Sequence, residues 1–327
     1  MPDRALIDQL DQAVDTLLAG GQPTAADPEL AGLIQIAGAL RHLPDDQFKT
    51  RLSRELQVEP RAQPERTTPM TATTATIHTV TPFISVVEGA KLIEFMKHTF
   101  AAEETSRHPH GPDGFVAAVK IGDSDLLIMG GESLRGQERS AALHVYVKDC
   151  DAAYHRALEA GAVTTPPVVG EPADRPYGER CAFVMDPFGN HWYIATRPGP
   201  NYVAEGLGRV TPYLHPANAP ALIDFLARAF GAEEVARYEA GGRVMHAVVR
   251  IGEAMVEMGE ADRAPSSFYM HTGDVDAVYH RAVDAGAISL SPPADQAFGD
   301  RMAVLQDPFG NHWLPATPIK NPSEPRL

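Results

Sequence analysis

Two seven-residue runs concentrate the side chains of this chain that could do chemistry. Asp186-Pro187-Phe188-Gly189-Asn190-His191-Trp192 recurs as Asp307-Pro308-Phe309-Gly310-Asn311-His312-Trp313. Each run holds a carboxylate, an amide, an imidazole and an indole. Asp186 and Asp307 could act as acids. In this context they fit better as turn-makers, because Pro fixes φ, Gly permits the turn and Asp accepts backbone hydrogen bonds. Arg180 and Arg301 each follow a Gly-acid pair, so they can bind an anion or brace a loop by ion pairing. His246 and Glu257 lie on consecutive predicted strands, with His271 and His312 further on. Imidazole and carboxylate are donors for a divalent metal. Cys150 and Cys181 have Val275 and Met302 as counterparts. That replacement points to small core thiols, and two cysteines build no disulfide framework. His108 and His110 fall in a Pro- and Gly-containing stretch that reads as a solvated loop.

The repetition extends well beyond these runs. Val80-Thr81-Pro82 returns as Val210-Thr211-Pro212, and Ala102-Glu103-Glu104 as Ala232-Glu233-Glu234. Tyr154-His155-Arg156-Ala157 returns as Tyr279-His280-Arg281-Ala282. So many landmarks in one order mark a duplicated domain. Each copy reads as two successive strand-helix-strand-strand units, with helices over about 90–99 and 151–160, then 219–229 and 276–285. Residues 1–58 read as amphipathic helices, and 59–76 as a Pro- and Thr-rich linker. The copies then span 77–198 and 205–320.

The chain has 327 residues, 44% of them hydrophobic and 22% charged, with a formal charge of −15. An acidic balance argues against nucleic acid and against an anionic membrane surface as partners. No basic region precedes an apolar run at the N-terminus, and no apolar stretch spans a bilayer. A cytoplasmic location is the expectation.

The repeated pattern resembles the vicinal oxygen chelate superfamily, which includes glyoxalase I, bleomycin resistance proteins and extradiol dioxygenases. Within it, the chain looks most like the PhnB-like branch. The resemblance rests on Val210-Thr211-Pro212-Tyr213, Ala229-Phe230-Gly231-Ala232, Arg243-Val244-Met245-His246-Ala247, Phe298-Gly299-Asp300-Arg301 and the Asp307–Trp313 run. It covers roughly 77–320. It implies an α+β fold of tandem glyoxalase-like domains, each built from two βαβββ-type units that form a curled sheet with a concave cleft. Which units share a sheet stays open, since family members pair them within a copy, across copies or between chains. A homodimer is among those arrangements.

Catalytic members of the superfamily hold a divalent metal with one ligand from each of four strands. Those positions fall on Thr81 and Thr211, Leu127 and Glu257, Ala142 and Ser267, and Tyr193 and Leu314. Only Glu257 is acidic, so no cofactor is expected. A divalent metal at His246 and Glu257, completed by His271, is the alternative. Strand alternation sorts the cleft-facing residues. In the first copy these are Phe83, Ser85, Lys120, His144, Tyr146, His191 and Tyr193. In the second they are Tyr213, His215, His246, Arg250, Glu257, Tyr269, His271 and His312.

Aromatic walls with a few polar groups suit capture of a small, flat or partly apolar molecule. The first expectation is therefore a small-molecule-binding protein of the bleomycin-resistance kind. One alternative is a metal-dependent lyase, isomerase or dioxygenase using the second copy. Another is a regulatory or scaffold protein acting through the N-terminal helices.

Overall fold

A computed structural model describes residues 77–199, 202–261 and 263–319. The N-terminal helical segment and the linker expected at 59–76 lie outside the described residues. No described helix is long and apolar enough to cross a membrane.

The first copy runs β1 (Ile77–Val86), α1 (Gly89–Phe100), β2 (Glu103–His110), β3 (Gly114–Ile121) and β4 (Ser124–Gly130), then β5 (Ala142–Tyr146), α2 (Cys150–Glu159), β6 (Val163–Thr164), β7 (Ala173–Asp174), β8 (Arg180–Met185) and β9 (His191–Thr196). The second runs β10 (Val210–Leu214), α3 (Ala219–Phe230), β11 (Glu233–Ala240), β12 (Arg243–Ile251) and β13 (Ala254–Met258), then β14 (Ser267–Thr272), α4 (Val275–Asp284), β15 (Ile288–Asp295), β16 (Asp300–Gln306) and β17 (His312–Pro318).

Local chemistry starts and stops the helices. The side chains of Asp149, Asn218 and Asp274 accept from Ala152 N, Ala221 N and Ala277 N, satisfying free N–H groups at the first turns of α2, α3 and α4. Gly231 ends α3 in the left-handed conformation, φ 70°. β2 and β11 are additions to the strands expected from pattern. Both are edge strands: β2 alternates only between exposed and half-buried, and β11 is exposed along nearly its whole length. His108 and His110 therefore sit on a strand, paired with Val116 and Gly114, and not in a loop.

The two sheets do not follow the two copies. One has eight strands in the order β15-β16-β17-β14-β1-β4-β3-β2, and the other nine, β11-β12-β13-β10-β5-β9-β8-β6 with β7 on β8. The first joins the opening unit of the first copy to the closing unit of the second, through antiparallel β1 and β14. The second sheet joins the other two units through antiparallel β10 and β5, with Thr211 opposite His144.

The apolar core, by contrast, stays almost wholly within each copy. Phe95, Phe100, Leu143 and Trp192 share one cluster, and Phe225, Phe230, Phe268 and Trp313 the other. Each helix pair thus packs against strands of both sheets. Phe100 meets Trp192 at 4.8 Å between ring centroids, and Phe230 meets Trp313 at 4.9 Å. Trp192 and Trp313 are fully buried, as alternation requires.

One consequence is testable. Either copy alone would leave one edge of each of its two central strands unpaired. An isolated copy is expected to self-associate, its first strand pairing with the opening strand of the second unit of another molecule. Light scattering checks this, and a folded monomer would contradict the crossed sheets.

Candidate functional site

Alternation along the nine-stranded sheet sends Leu143, Val145, Trp192, Ile194, Val256 and Met258 into the core. The opposite face receives His144, Tyr146, His191, Tyr193, Tyr213, His215, His246 and Glu257. This regroups the expected clefts. The residues expected to divide between the copies converge here, on one surface.

Glu257, 2% exposed, is the centre of a polar cluster. His144 Nδ1 lies 2.9 Å from its Oε2, and His246 Nε2 lies 3.0 Å from its Oε1. Burial opposes ionisation of Glu257, but the two imidazoles outweigh it and hold the carboxyl at about 2. Burial likewise opposes charge on His144. Attraction and a hydrogen bond from Glu257, with a smaller pull from Glu179, raise its pKa. Tyr146 OH donates to Glu179 Oε1 at 2.8 Å. The segment Tyr202–Leu207 packs with Phe183 over Tyr146, Cys181 and Ala195, so this end of the face is closed.

The other end carries a shelf of rings. Tyr213 lies 4.8 Å from Tyr193, 5.0 Å from His215 and 6.0 Å from His246 between centroids. Phe183 meets Tyr193 edge-on at 5.3 Å. The Tyr193 hydroxyl lies 2.6 Å from His215 Nε2. Arg263 Nη1 lies 2.9 Å from His191 Nδ1.

The eight-stranded sheet gathers Tyr269, His271 and His312. Tyr269 OH donates to Asp300 Oδ2, and its ring lies 5.2 Å from His271. Arg139 Nη2 lies 2.6 Å from His312 Nε2. His271 is therefore on the other sheet from His246 and Glu257. The expected trio of His246, Glu257 and His271 does not form, because register gives Glu257 to His144 instead. Arg250 is drawn to the edge strand by Glu233 and to Gly252 O, away from Glu257.

Other expectations resolve as braces. Arg180 ties α2 to β8 through Asp151, and Arg301 ties α4 to β16 through Asp276. Burial pushes both thiols, Cys150 and Cys181, up to about 12. Glu179, Arg139 and Arg263 escaped the sequence reading. Glu179 had a signal, since Glu179 and Asp300 hold corresponding places before Arg180 and Arg301, and each takes a tyrosine hydroxyl. The two arginines belong to no motif.

The histidines set a pH dependence. Burial first, then the Arg263 charge, pushes His191 down to about 4; the same causes, with His191, push His215 to about 3. Burial and Arg139 push His312 to about 4. The unfolded chain protonates these rings near about pH 6.5, so it binds more protons below that value, and stability falls as pH is lowered toward about 4. Chemical denaturation across this window checks it. His191→Gln and His215→Gln are expected to flatten the slope, and an unchanged slope would count against the assignment.

The family model of the Glyoxalase/Bleomycin resistance protein/Dioxygenase superfamily matches residues 213–314. An uncharacterised protein of Mycobacterium bovis is 32% identical, over 34% of this chain and 84% of its own length. The chain belongs to this superfamily. A Mycobacterium tuberculosis protein, also uncharacterised, matches at 32% over 75% of its length and 34% of this chain. Among solved structures, glyoxalase I from Zea mays superposes with TM-score 0.58 at 13% identity, covering 74% of this chain and 93% of its own. A putative dioxygenase from Bacillus subtilis gives 0.51 at 14%, over 74% and 85%. At such identity these structures show a shared fold.

The superfamily's metal-ligand positions fit a metal poorly on the nine-stranded sheet. Ala142 offers no donor atom, Tyr193 turns its hydroxyl to His215, and both Glu257 oxygens face imidazoles. Among the described residues, no group of three or more His, Cys, Asp or Glu is placed to hold a metal ion. At Thr211 the hydroxyl is buried without a hydrogen-bond partner.

Proposed function

We propose that the protein binds a small aromatic or partly apolar molecule on the concave face of the nine-stranded sheet, and sequesters it rather than converting it. The observation that carries this reading is the shelf formed by Tyr193, Tyr213 and His215, with Phe183 at its edge. Flat rings bind offset or edge-on to such surfaces, and few convergent polar groups fix their orientation. The altered ligand positions support binding over metal-dependent turnover. So does Glu257, whose oxygens are engaged by His144 and His246.

A thermal-shift screen of aromatic compounds, followed by calorimetry, tests the reading. Tyr213→Ala is expected to weaken a hit by about tenfold, the loss of one aromatic contact with its buried area. If no aromatic compound binds, or if Tyr213→Ala binds as well as the parent, the shelf is not the site.

A further inference from the structure

Most arginines of the described chain face a carboxylate. Arg107, Arg135, Arg180, Arg228, Arg237, Arg243, Arg250 and Arg301 all do so. Arg139 and Arg263 are exceptions with a shared design. Each is half-buried and lies in the loop that enters the second unit of its copy. Each reaches the imidazole of an Asn-His-Trp run across the copies. Arg139 of the first copy meets His312, and Arg263 of the second meets His191. Among the described residues neither forms an ion pair with a carboxylate.

The partner in each case is an acceptor without charge. His191 and His312 are held well below their ordinary pKa, so at neutral pH each ring receives a guanidinium N–H and leaves the positive charge uncompensated. Burial alone pushes Arg139 below its usual value. A cation withdrawn from water without a counter-ion is costly, and a bound anion removes that cost. The arrangement occurs once on each concave face, built by loops that share no motif. On the eight-stranded sheet the backbone of Arg139 is held by Ser85, whose N–H and C=O both bond to it, at 3.0 and 2.7 Å. On the nine-stranded sheet, Arg263 also hydrogen-bonds the Tyr193 hydroxyl and acts on His215 through its charge.

We propose that Arg263 is an anion anchor at the edge of the aromatic shelf, and that the ligand of this face is an aromatic carboxylate. This rests on the binding reading above and adds the charge of the ligand to it. A guanidinium has five N–H donors in a planar fork. With one on His191 and one on the Tyr193 hydroxyl, others remain for a carboxylate. The ring of such a ligand would lie on Tyr193 and Tyr213 while its carboxylate meets Arg263. His191 holds the guanidinium in place, and is a positioning residue.

The test compares isosteric probes by calorimetry: naphthalene-2-carboxylate against naphthalene-2-carboxamide, on the full chain and on Arg263→Gln. The carboxylate is expected to bind the parent at least about tenfold more tightly than the amide, as for a charge-assisted hydrogen bond. Arg263→Gln should erase that preference, bringing the carboxylate's affinity down to the amide's, and Arg263→Lys should restore part of it. Equal binding of the two probes by the parent would overturn the anchor and leave the binding reading standing. A preference that survives Arg263→Gln would do the same. Failure of both probes to bind would overturn the aromatic-carboxylate proposal, while the binding reading stands or falls with the broader aromatic screen. The comparison on the parent protein stands even if a variant does not fold.

Discussion

Asp307→Ala is expected to destabilise the protein by about 3–5 kcal/mol, with a fall in melting temperature of roughly 10 °C. Asp307 is 2% exposed, and its oxygens accept from Phe309 N, Asn311 N, Asn311 Nδ2 and Trp313 Nε1 at 2.8–3.0 Å. Alanine strands all of these donors together, inside a turn that excludes water. Asn311 also ties the turn to the next strand through Ser266 N, so the loss would spread toward β14. Asp186 has the same partners in the first copy, at 2.8–2.9 Å. Asp186→Ala should cost a similar amount. Asn at either site keeps one acceptor oxygen, so it should fall between the parent and alanine. A melting temperature for Asp307→Ala within a degree or two of the parent would defeat this account of the turn.

The second large effect is expected at Glu257. Glu257→Ala removes the counter-charge of His144, whose ring is buried beside Tyr146. Breaking a buried pair from one side typically costs about 3–5 kcal/mol. The sign of its pH dependence follows from His144. In the parent, its raised pKa contributes stability that is fully present below about pH 6.5 and lost as pH rises through the folded value. In the variant that contribution is missing. The deficit should therefore be largest below about pH 6.5 and narrow above it. Glu257, held at about 2 in the parent, loses its own contribution only as pH falls through that value, below about 4.5. Urea denaturation on either side of about pH 6.5 measures the difference. An equal deficit on both sides would show that charge on His144 is not what Glu257 supports.

Much of this architecture is legible because it is written locally. The Asp-Pro-Phe-Gly-Asn turns carry their own geometry. Trp192 and Trp313 alternate with cleft-facing histidines, so their burial follows from strand period. The helices expected over 151–160 and 276–285 fall within about a residue of α2 and α4, at Cys150–Glu159 and Val275–Asp284. What remained hidden depends on distant partners. Alternation gives the face of Glu257 but not the strand beside it, and only the β10–β5 register places His144 within reach. The edge strand β11 has almost no buried face, so no apolar rhythm announces it. Arg139 and Arg263 act across copies from loops, where neither spacing nor periodicity links them to the imidazoles they meet.

The crossed sheets bear on how such a protein can diversify. Two separate single-repeat chains related by a twofold axis would present every substitution twice, once on each face. Covalent linkage of the repeats lifts that constraint. Glu257 and His246 stand where the other half of the chain has Leu127 and Val116, and His144 corresponds to Tyr269. Each concave face takes one half from each repeat, so a single substitution alters one face and spares its twin. The chain can thus hold a polar, ring-lined surface and a more apolar one on a shared scaffold, and selection can act on each independently.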